Sequence, residues 1–205
     1  MTIIALSMRR DYDANRNTFV DSISKDLIDF FGADTALIPI PNYASGVRSI
    51  LTSINVDRII LTGGNSVLGP KDLYPDFVGE RNDVEQILLQ TAINEDIPIL
   101  GICRGMQFIA HYFGMDICKI PNHVGKPHAI TDLIDCKKYL VNSYHNYGIT
   151  PTSLHTDFVT THLSDDGYVE GFRHLTKKIT GIMWHPERQM PNPHECETLN
   201  RRILR

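Results

Sequence analysis

Short apolar runs alternate with helically spaced apolar residues along the first half of the chain. Runs of this kind at residues 2–6, 35–40, 57–62 and 98–102 have the length and composition of buried strands. Between them, apolar residues recur every three or four positions, which is typical of amphipathic helices. This β-α alternation predicts an α/β fold with a doubly wound, mostly parallel sheet flanked by helices.

Three of the intervening stretches show helical spacing, at residues 19–30, 47–54 and 81–92. Gly32 follows the first stretch and is a fitting helix C-cap. The polar residues 7–16 are predicted to be a loop. Residues 68–79 contain two prolines, two Asp and one Tyr, and we expect a loop that forms the rim of a substrate site.

The pattern changes after Gly114, where short strands alternate with turns over residues 115–178. We expect this part to be a small β-rich excursion before the final strand, and the chain to end in a helix. The predicted strands and helix cover residues 139–142, 157–162, 168–172, 179–184 and 194–205.

The apolar run at residues 98–102 ends in the pattern Gly101-Ile-Cys103-Arg-Gly105. This is the G-x-nucleophile-x-G elbow of hydrolases, with cysteine as the nucleophile. Small flanking residues let a neighbouring backbone pass close to a strained strand-to-helix turn. The pattern is short, and a buried structural cysteine at a strand end would also fit it.

A second apolar run, at residues 179–184, ends in His185-Pro186-Glu187. Pro186 favours an extended conformation at His185, so His185 and Glu187 point to the same side of the chain. By itself such a tripeptide is more often a surface turn. Together with Cys103 it indicates a catalytic triad of nucleophile, base and orienting carboxylate.

With these residues in view, the sequence resembles the class I glutamine amidotransferase family, in its γ-glutamyl hydrolase branch, which is similar to peptidase family C26. Four motifs occur in the family's order and extend over most of the chain. They are Thr62–Asn65, the Cys103 elbow, Val141–His145 and His185–Glu187.

The resemblance implies a role for further residues. Backbone N–H groups of Gly64 and Arg104 are expected to form the oxyanion hole, and Gln107 to hold the glutamyl group, although Gln107 would also suit a polar helix surface. Related hydrolases carry an Arg-Asp pair near position 81, which Asn82 separates here, so no role follows for Arg81. The other residues expected to bind substrate are Gly63, Asn65, Asn142, Ser143, Tyr144 and His145.

Three arginines, Arg9, Arg10 and Arg16, follow the first predicted strand. Open α/β sheets bind ligands at the carboxyl ends of their strands, and guanidinium groups suit phosphate. The arginines are therefore candidates for an anionic part of the substrate. A solvated charged loop is an equally good interpretation.

Composition narrows the class of protein. The 205 residues predict a single domain, 1–205, and a hydrophobic share of 42% is that of an ordinary globular protein. A net charge of −4 argues against a nucleic-acid partner. No apolar run approaches the length of a membrane span, and the N-terminus has no leader pattern. The four cysteines form no disulfide framework. We therefore expect a cytoplasmic protein.

Nine histidines could suggest a metal, but none of them follows a metal-binding spacing. We therefore predict no metal site and no cofactor. Several histidines are interpreted as surface or loop residues, namely His123, His128, His155, His162 and His174.

The resemblance implies hydrolysis of a γ-glutamyl amide with release of L-glutamate. The sequence resembles in particular hydrolases that convert N5-(cytidine 5′-diphosphoramidyl)-L-glutamine to cytidine diphosphoramidate in capsule polysaccharide modification. The alternatives are a glutaminase subunit that supplies ammonia to a synthetase partner, or a hydrolase of γ-glutamyl-GABA. A cysteine peptidase or a non-catalytic binding module fits the motifs less well. The sequence leaves open whether the chain forms a homodimer.

Overall fold

The computed structural model describes residues 1–32, 34–65, 67 and 75–203. Within these ranges the chain forms thirteen strands and five α-helices. The strands are β1 Thr2–Ser7, β2 Arg9–Asp13, β3 Thr18–Ser22, β4 Thr35–Ile40, β5 Arg58–Leu61, β6 Ile99–Ile102, β7 Ile117–Lys119, β8 His128–Asp132, β9 Lys138–Val141, β10 Tyr147–Ile149, β11 Phe158–Ser164, β12 Val169–His174 and β13 Ile179–Ile182. The helices are α1 Lys25–Phe31, α2 Ala44–Ser53, α3 Pro75–Asn94, α4 Arg104–Tyr112 and α5 Pro193–Ile203.

Nine strands form one sheet in the order β4-β1-β5-β6-β13-β12-β11-β8-β9. The pairs from β4 to β13 are parallel, and those from β13 to β9 are antiparallel. The predicted α/β class is confirmed. The predicted β-rich excursion is for the most part an extension of the main sheet, with only β7 and β10 pairing separately.

Alternating side chains of the central strands supply the two faces of the sheet. In β1, Ala5 belongs to a core cluster with helices α2, α3 and α4, whereas its neighbour Leu6 belongs to a cluster with α1 and α5. Both residues are fully buried. Helices therefore cover both faces, which explains why these strands read as continuous apolar runs.

The strand order places a ligand-binding crevice. In the order β4-β1-β5-β6, the chain connections leave β1 in one direction and β5 in the other, so the sheet has its switch point between these two strands. Open α/β sheets bind ligands outside the carboxyl ends of the strands at such a point. Ser7 and Thr62 mark those ends here.

Two sequence predictions were wrong. The predicted loop 7–16 and the start of the first predicted helix are instead a hairpin of β2 and β3, with Phe19 paired opposite Tyr12. Helix α3 begins at Pro75, so the predicted loop 68–79 is helical from there on, and its residues 68–74 lie outside the described residues. Gly32 does close α1, with a positive φ of 69°.

Among the described helices, none is long and apolar enough to cross a membrane.

Candidate active site

Cys103 occupies a strained turn between β6 and α4. Its φ is 50°, a positive value that residues with a Cβ rarely adopt. The flanking glycines are required by contact, since a Cβ on Gly101 would lie 2.6 Å from the Gly105 carbonyl carbon, and one on Gly105 would lie 2.1 Å from the Leu61 oxygen. The structure therefore has the strand–turn–helix form that the sequence predicts for a nucleophile elbow.

His185 is the central residue of the predicted triad. Its Nδ1 lies 2.6 Å from Glu187 Oε1, and its imidazole borders the same cavity as Cys103. Burial by itself would lower the pKa of His185, but the negative charges of Cys103 and Glu187 raise this pKa to about 9. His185 thus has a raised pKa beside the carboxylate that fixes its imidazole, as a proton carrier for Cys103 requires.

Asn142 holds the backbone of His185. Its Oδ1 accepts a hydrogen bond of 2.9 Å from His185 N–H, and its Nδ2 donates one of 2.8 Å to the His185 carbonyl. The sequence predicted that Asn142 binds substrate. In the structure its polar atoms are occupied by His185 and Gln189, so its contact is with the chain segment that carries the imidazole.

Arg81 clasps the glycine turn that follows β5. Its guanidinium donates hydrogen bonds of 2.7, 3.1 and 2.8 Å to the carbonyls of Thr62, Gly63 and Gly64. A trans peptide directs its C=O and N–H to opposite sides, so the Gly64 N–H points away from Arg81. Gly63 lets the turn approach His185, because a Cβ there would lie 2.5 Å from the imidazole Cε1.

A buried carboxylate, Glu85, ties this turn to the elbow. Its Oε1 accepts hydrogen bonds from Arg81 Nε at 2.9 Å and from Ser7 Oγ at 2.8 Å, and its Oε2 contacts Arg104. Glu85 and both arginines are no more than 1% exposed. The sequence did carry a signal for this network, since the positions of Arg81 and Glu85 interrupt the buried face that α3 continues with Leu88.

Two cavities meet at His185. The first, the Cys103 cavity, has a volume of about 210 Å³ and is lined by Gly64, Asn65, Cys103, Arg104, Gln107, Tyr144, His145, Asn146, Tyr147, His185 and Arg188. The second, the hairpin cavity, has a volume of about 350 Å³ and lies at the switch point of the sheet. It is lined by Arg9, Asp11, Ser22, Ile23, Ser24, Leu27, Thr62, Gly63, Gly64, His185, Glu187 and Arg188.

Of the three predicted arginines, one borders either of these two cavities. Arg9 borders the hairpin cavity and donates to Asp11 Oδ1 at 2.8 Å through Nε. Arg10 is instead paired with Asp21 and Glu80, and Arg16 is an exposed residue between β2 and β3. Sequence reasoning missed a second cation, Arg188, which borders both cavities and lies over the Tyr144 ring at 4.7 Å.

The other predicted substrate residues divide into two groups. Gln107, Tyr144 and His145 line the Cys103 cavity, and Gln107 Nε2 donates to the Tyr147 carbonyl at 3.0 Å. Ser143 is buried outside that cavity and donates its hydroxyl to the His123 carbonyl.

Asn65 lines the Cys103 cavity, but its side chain is also bonded within the protein. Its Oδ1 accepts from Arg81 at 2.9 Å, and its Nδ2 donates to the Arg10 carbonyl at 2.8 Å. These bonds join the turn after β5 to the β2–β3 hairpin.

Two of the histidines interpreted as surface or loop residues are buried. His123, in the segment before β8, and His162, in β11, are 3% and 4% exposed, so the interpretation was wrong for His162. His162 lies 3.5 Å from Asp132 and packs edge-on against Trp184. His155 and His174 are partly exposed, as predicted, and His128 is half-buried next to His123.

Comparison with known proteins places this geometry in a family. The model of the class-I glutamine amidotransferase family matches residues 15–205. The chain is 38% identical over 136 residues to a gamma-glutamyl-CDP-amidate hydrolase of Campylobacter jejuni, which covers 65% of this chain and 64% of that protein. It is 32% identical over 176 residues to the carbamoyl phosphate synthase small chain of Aquifex aeolicus, which covers 85% of this chain and 43% of that protein.

The chain thus spans less than two thirds of the length of both relatives. Among solved structures, a glutamine amidotransferase of Thermotoga maritima superposes with a TM-score of 0.63 at 16% identity, covering 98% of this chain and 80% of that one. This likeness confirms the fold.

Proposed function

The chain belongs to the class I glutamine amidotransferase family, and on this premise we propose that it is a cysteine-dependent hydrolase of a γ-glutamyl amide. The observation that carries the proposal is one buried imidazole, that of His185, which lies 2.6 Å from Glu187 and borders the same cavity as Cys103. Glu187 occupies Nδ1, which leaves Nε2 to exchange a proton with the sulfur and with the substrate.

The reaction would pass through a thioester. The Cys103 sulfur attacks the δ-carbonyl carbon of the glutamyl group, and the carbonyl electron pair moves onto oxygen. As the pair returns, the C–N bond breaks and His185 donates its proton to the leaving nitrogen. Water then attacks the thioester while His185 accepts its proton. The C–S bond breaks, L-glutamate leaves, and the thiolate–imidazolium pair is restored.

We assign the oxyanion hole to the backbone N–H groups of Gly64 and Arg104. The N–H of Gly64 points away from the clasp of Arg81, and the N–H of Arg104 is at the first residue of α4, where helix N–H groups have no partner within the helix. Both donors belong to segments that Glu85 connects, because its carboxylate pairs with Arg81 and with Arg104.

The two cavities suit the two halves of such a substrate. We place the glutamyl group in the Cys103 cavity, against Gln107, Tyr144 and His145, which offer polar groups for its amino and carboxylate ends. The leaving group would extend into the hairpin cavity, where Arg9 and Arg188 supply positive charge. Guanidinium groups favour phosphate, so this side fits an anionic leaving group.

The substrate we propose is N5-(cytidine 5′-diphosphoramidyl)-L-glutamine, which yields cytidine diphosphoramidate for capsule polysaccharide modification. The name of the Campylobacter jejuni relative and the two guanidinium groups that line the hairpin cavity support this choice. A glutaminase subunit is the second candidate, because the chain is also similar to a carbamoyl phosphate synthase small chain. In that case a synthetase partner would consume the ammonia. A γ-glutamyl amine such as γ-glutamyl-GABA is the third.

We further propose that residues 1–205 act as a single domain in the cytoplasm. The continuous nine-stranded sheet supports one domain. The four cysteines are free thiols in the structure, as expected in a reducing compartment.

Glutamate release from three substrates tests the function. Purified protein is given glutamine, γ-glutamyl-GABA or γ-glutamyl-CDP-amidate in parallel, and we expect fast turnover of the nucleotide-linked substrate. Turnover of glutamine alone, or only after a partner is added, would support the glutaminase subunit instead. No release from any of the three would overturn the proposed hydrolase.

Arg9 provides a sharper test of the leaving-group side. We expect Arg9→Ala to raise KM for γ-glutamyl-CDP-amidate by about tenfold, as for loss of one charge-assisted contact. Turnover of glutamine, whose leaving group is uncharged ammonia, should change less than twofold. Arg16→Ala is the matched control, because Arg16 is exposed and borders neither cavity. Equal effects of the two variants would contradict the assignment.

The pH profile follows from the raised pKa of His185. The imidazolium is the proton donor to the leaving nitrogen, so kcat/KM should hold below the pKa of about 9 and fall as pH rises through it. Glu187→Gln removes the negative charge that helps to raise this pKa, so the alkaline limb should move to lower pH.

Glu197→Gln is the control for the pH profile, because this exposed residue of α5 pairs only with Arg201 among the described residues. Its alkaline limb should coincide with that of the wild type. A limb that stays in place in Glu187→Gln would contradict the proposed role of Glu187.

A further inference from the structure

Four potential metal ligands converge behind the Cys103 cavity. One carboxylate comes from β12, one imidazole from the start of β8, and two from the segments that precede β8 and β10. Their four ligand atoms all lie within 4.8 Å of one another. We call this set the histidine cluster, and it consists of His123, His128, His145 and Glu170.

The hydrogen bonds at the outer side of two imidazoles fix their tautomers. His145 Nδ1 lies 3.0 Å from the Tyr147 carbonyl, which can only accept, so Nδ1 carries the hydrogen. His123 Nε2 lies 3.0 Å from the Asp166 carboxylate and carries its hydrogen by the same argument. The inner nitrogens, His123 Nδ1 and His145 Nε2, then present lone pairs to each other at 3.4 Å.

Glu170 adds a negative charge to these lone pairs. It is 1% exposed, and its Oε1 makes no hydrogen bond with the described residues, although His123 Nδ1 is 3.4 Å and His145 Nε2 is 3.6 Å away. Both ring nitrogens of His128 are likewise buried without a hydrogen bond. A buried carboxylate in this state is costly unless a cation neutralises it. A single shared proton would satisfy one lone pair and leave the others unpaired.

The separations match a tetrahedral ion. Zn²⁺ binds imidazole and carboxylate at about 2.0–2.1 Å, so neighbouring ligand atoms of a tetrahedral site lie about 3.3 Å apart. Three ligand atoms, His123 Nδ1, His145 Nε2 and Glu170 Oε1, lie 3.4 to 3.6 Å apart, and the fourth ligand, His128 Nε2, lies 3.3 Å from the other carboxylate oxygen, Oε2. The second layer is also present, because Asp166 and the Tyr147 carbonyl orient two of the imidazoles as in known zinc sites.

We propose that the histidine cluster binds one divalent transition-metal ion, with Zn²⁺ as the natural occupant. Imidazole and carboxylate ligands suit Zn²⁺, and four protein ligands leave no open position, which is typical of a structural site. The ion would fix the wall of the Cys103 cavity. His145 lines that cavity, and the Tyr147 carbonyl that orients it also accepts from Gln107.

The test is direct binding of Co²⁺ and Zn²⁺ to the full chain. We use Cys103→Ser as the background, since the thiol beside His185 could itself bind metal. After chelation and dialysis, we expect about one Co²⁺ per chain, with the intense visible absorption of a tetrahedral site, and displacement of Co²⁺ by Zn²⁺. Neither readout depends on activity, so the result is separate from that of the proposed function.

Variants locate the bound ion. Glu170→Gln should weaken Co²⁺ binding by at least about 100-fold, and Asp166→Asn, in the second layer, by about 10-fold or more. His174→Asn is the matched control, because this histidine is partly exposed and lies outside the cluster. Circular dichroism verifies folding, and Asp166, whose side chain is 50% exposed, remains informative if Glu170→Gln does not fold.

Two results would overturn the proposal. One is less than a tenth of an equivalent of metal in folded protein. The other is binding that Glu170→Gln and Asp166→Asn leave unchanged, which would mean an adventitious ion only. In either case the cluster is a proton-sharing network.

Discussion

Replacing Cys103 by alanine is expected to lower kcat/KM for glutamate release by about 10⁴-fold or more, whichever γ-glutamyl substrate is used. The sulfur would be the atom that bonds to the carbonyl carbon, and no other thiol of the chain lines either cavity. Triad members act as a unit, so adding His185→Ala to Cys103→Ala should cost little more.

The control for this prediction is Cys136→Ala, which removes an exposed thiol and should leave turnover within twofold. Mass spectrometry of acid-quenched protein should also detect a γ-glutamyl adduct on the peptide that contains Cys103. The proposal would be overturned if folded Cys103→Ala retained glutamate release, or if the adduct formed on another cysteine.

The elements that could be predicted from sequence are those whose cause is local. The elbow depends on five consecutive residues, and a close contact explains each of its two glycines, such as the approach of Gly105 to the Leu61 oxygen. The strand ends that carry His185 and Thr62 follow apolar runs that a doubly wound sheet buries on both faces. The position of the candidate catalytic residues at strand ends could therefore be predicted from the hydrophobic pattern alone.

The β2–β3 hairpin shows where the pattern is ambiguous. Phe19, Ile23 and Leu27 are spaced four apart, and residues four apart share a face in a strand as well as in a helix. The choice is made by pairing, because residues 18–22 hydrogen-bond to residues 9–13. That pairing brought Arg9 to the cavity and turned Arg10 toward Asp21 and Glu80.

The remaining features depend on residues that are far apart in sequence. The histidine cluster joins loops and strands from His123 to Glu170, and linear spacing cannot reveal a site assembled from four elements. Arg188 follows the predicted triad directly in sequence, yet only the structure shows that it borders both cavities. Glu85 is the closest to being predictable, because its charge interrupts a buried helix face.

Glu85 is also the residue for which the structure predicts the largest loss of stability. Glu85→Gln would leave Arg81 and Arg104 buried without their carboxylate, and breaking a buried ion pair in this way costs about 3–5 kcal/mol in the free energy of unfolding. The measurement is urea unfolding, followed by circular dichroism. We expect a lower midpoint with an unchanged m-value.

Glu80→Gln is the matched control, because it makes the same chemical change in α3 at a side chain that is 51% exposed and paired with Arg10. It should cost no more than about 1 kcal/mol. Among molecules that remain folded, Glu85→Gln should lower kcat by about 10²-fold or more with little change in KM, since Arg81 and Arg104 belong to the framework that positions both proposed oxyanion donors. Equal stabilities for the two variants would contradict the predicted cost of breaking the buried ion pairs, and a loss expressed in KM alone would show that Glu85 positions no oxyanion donor.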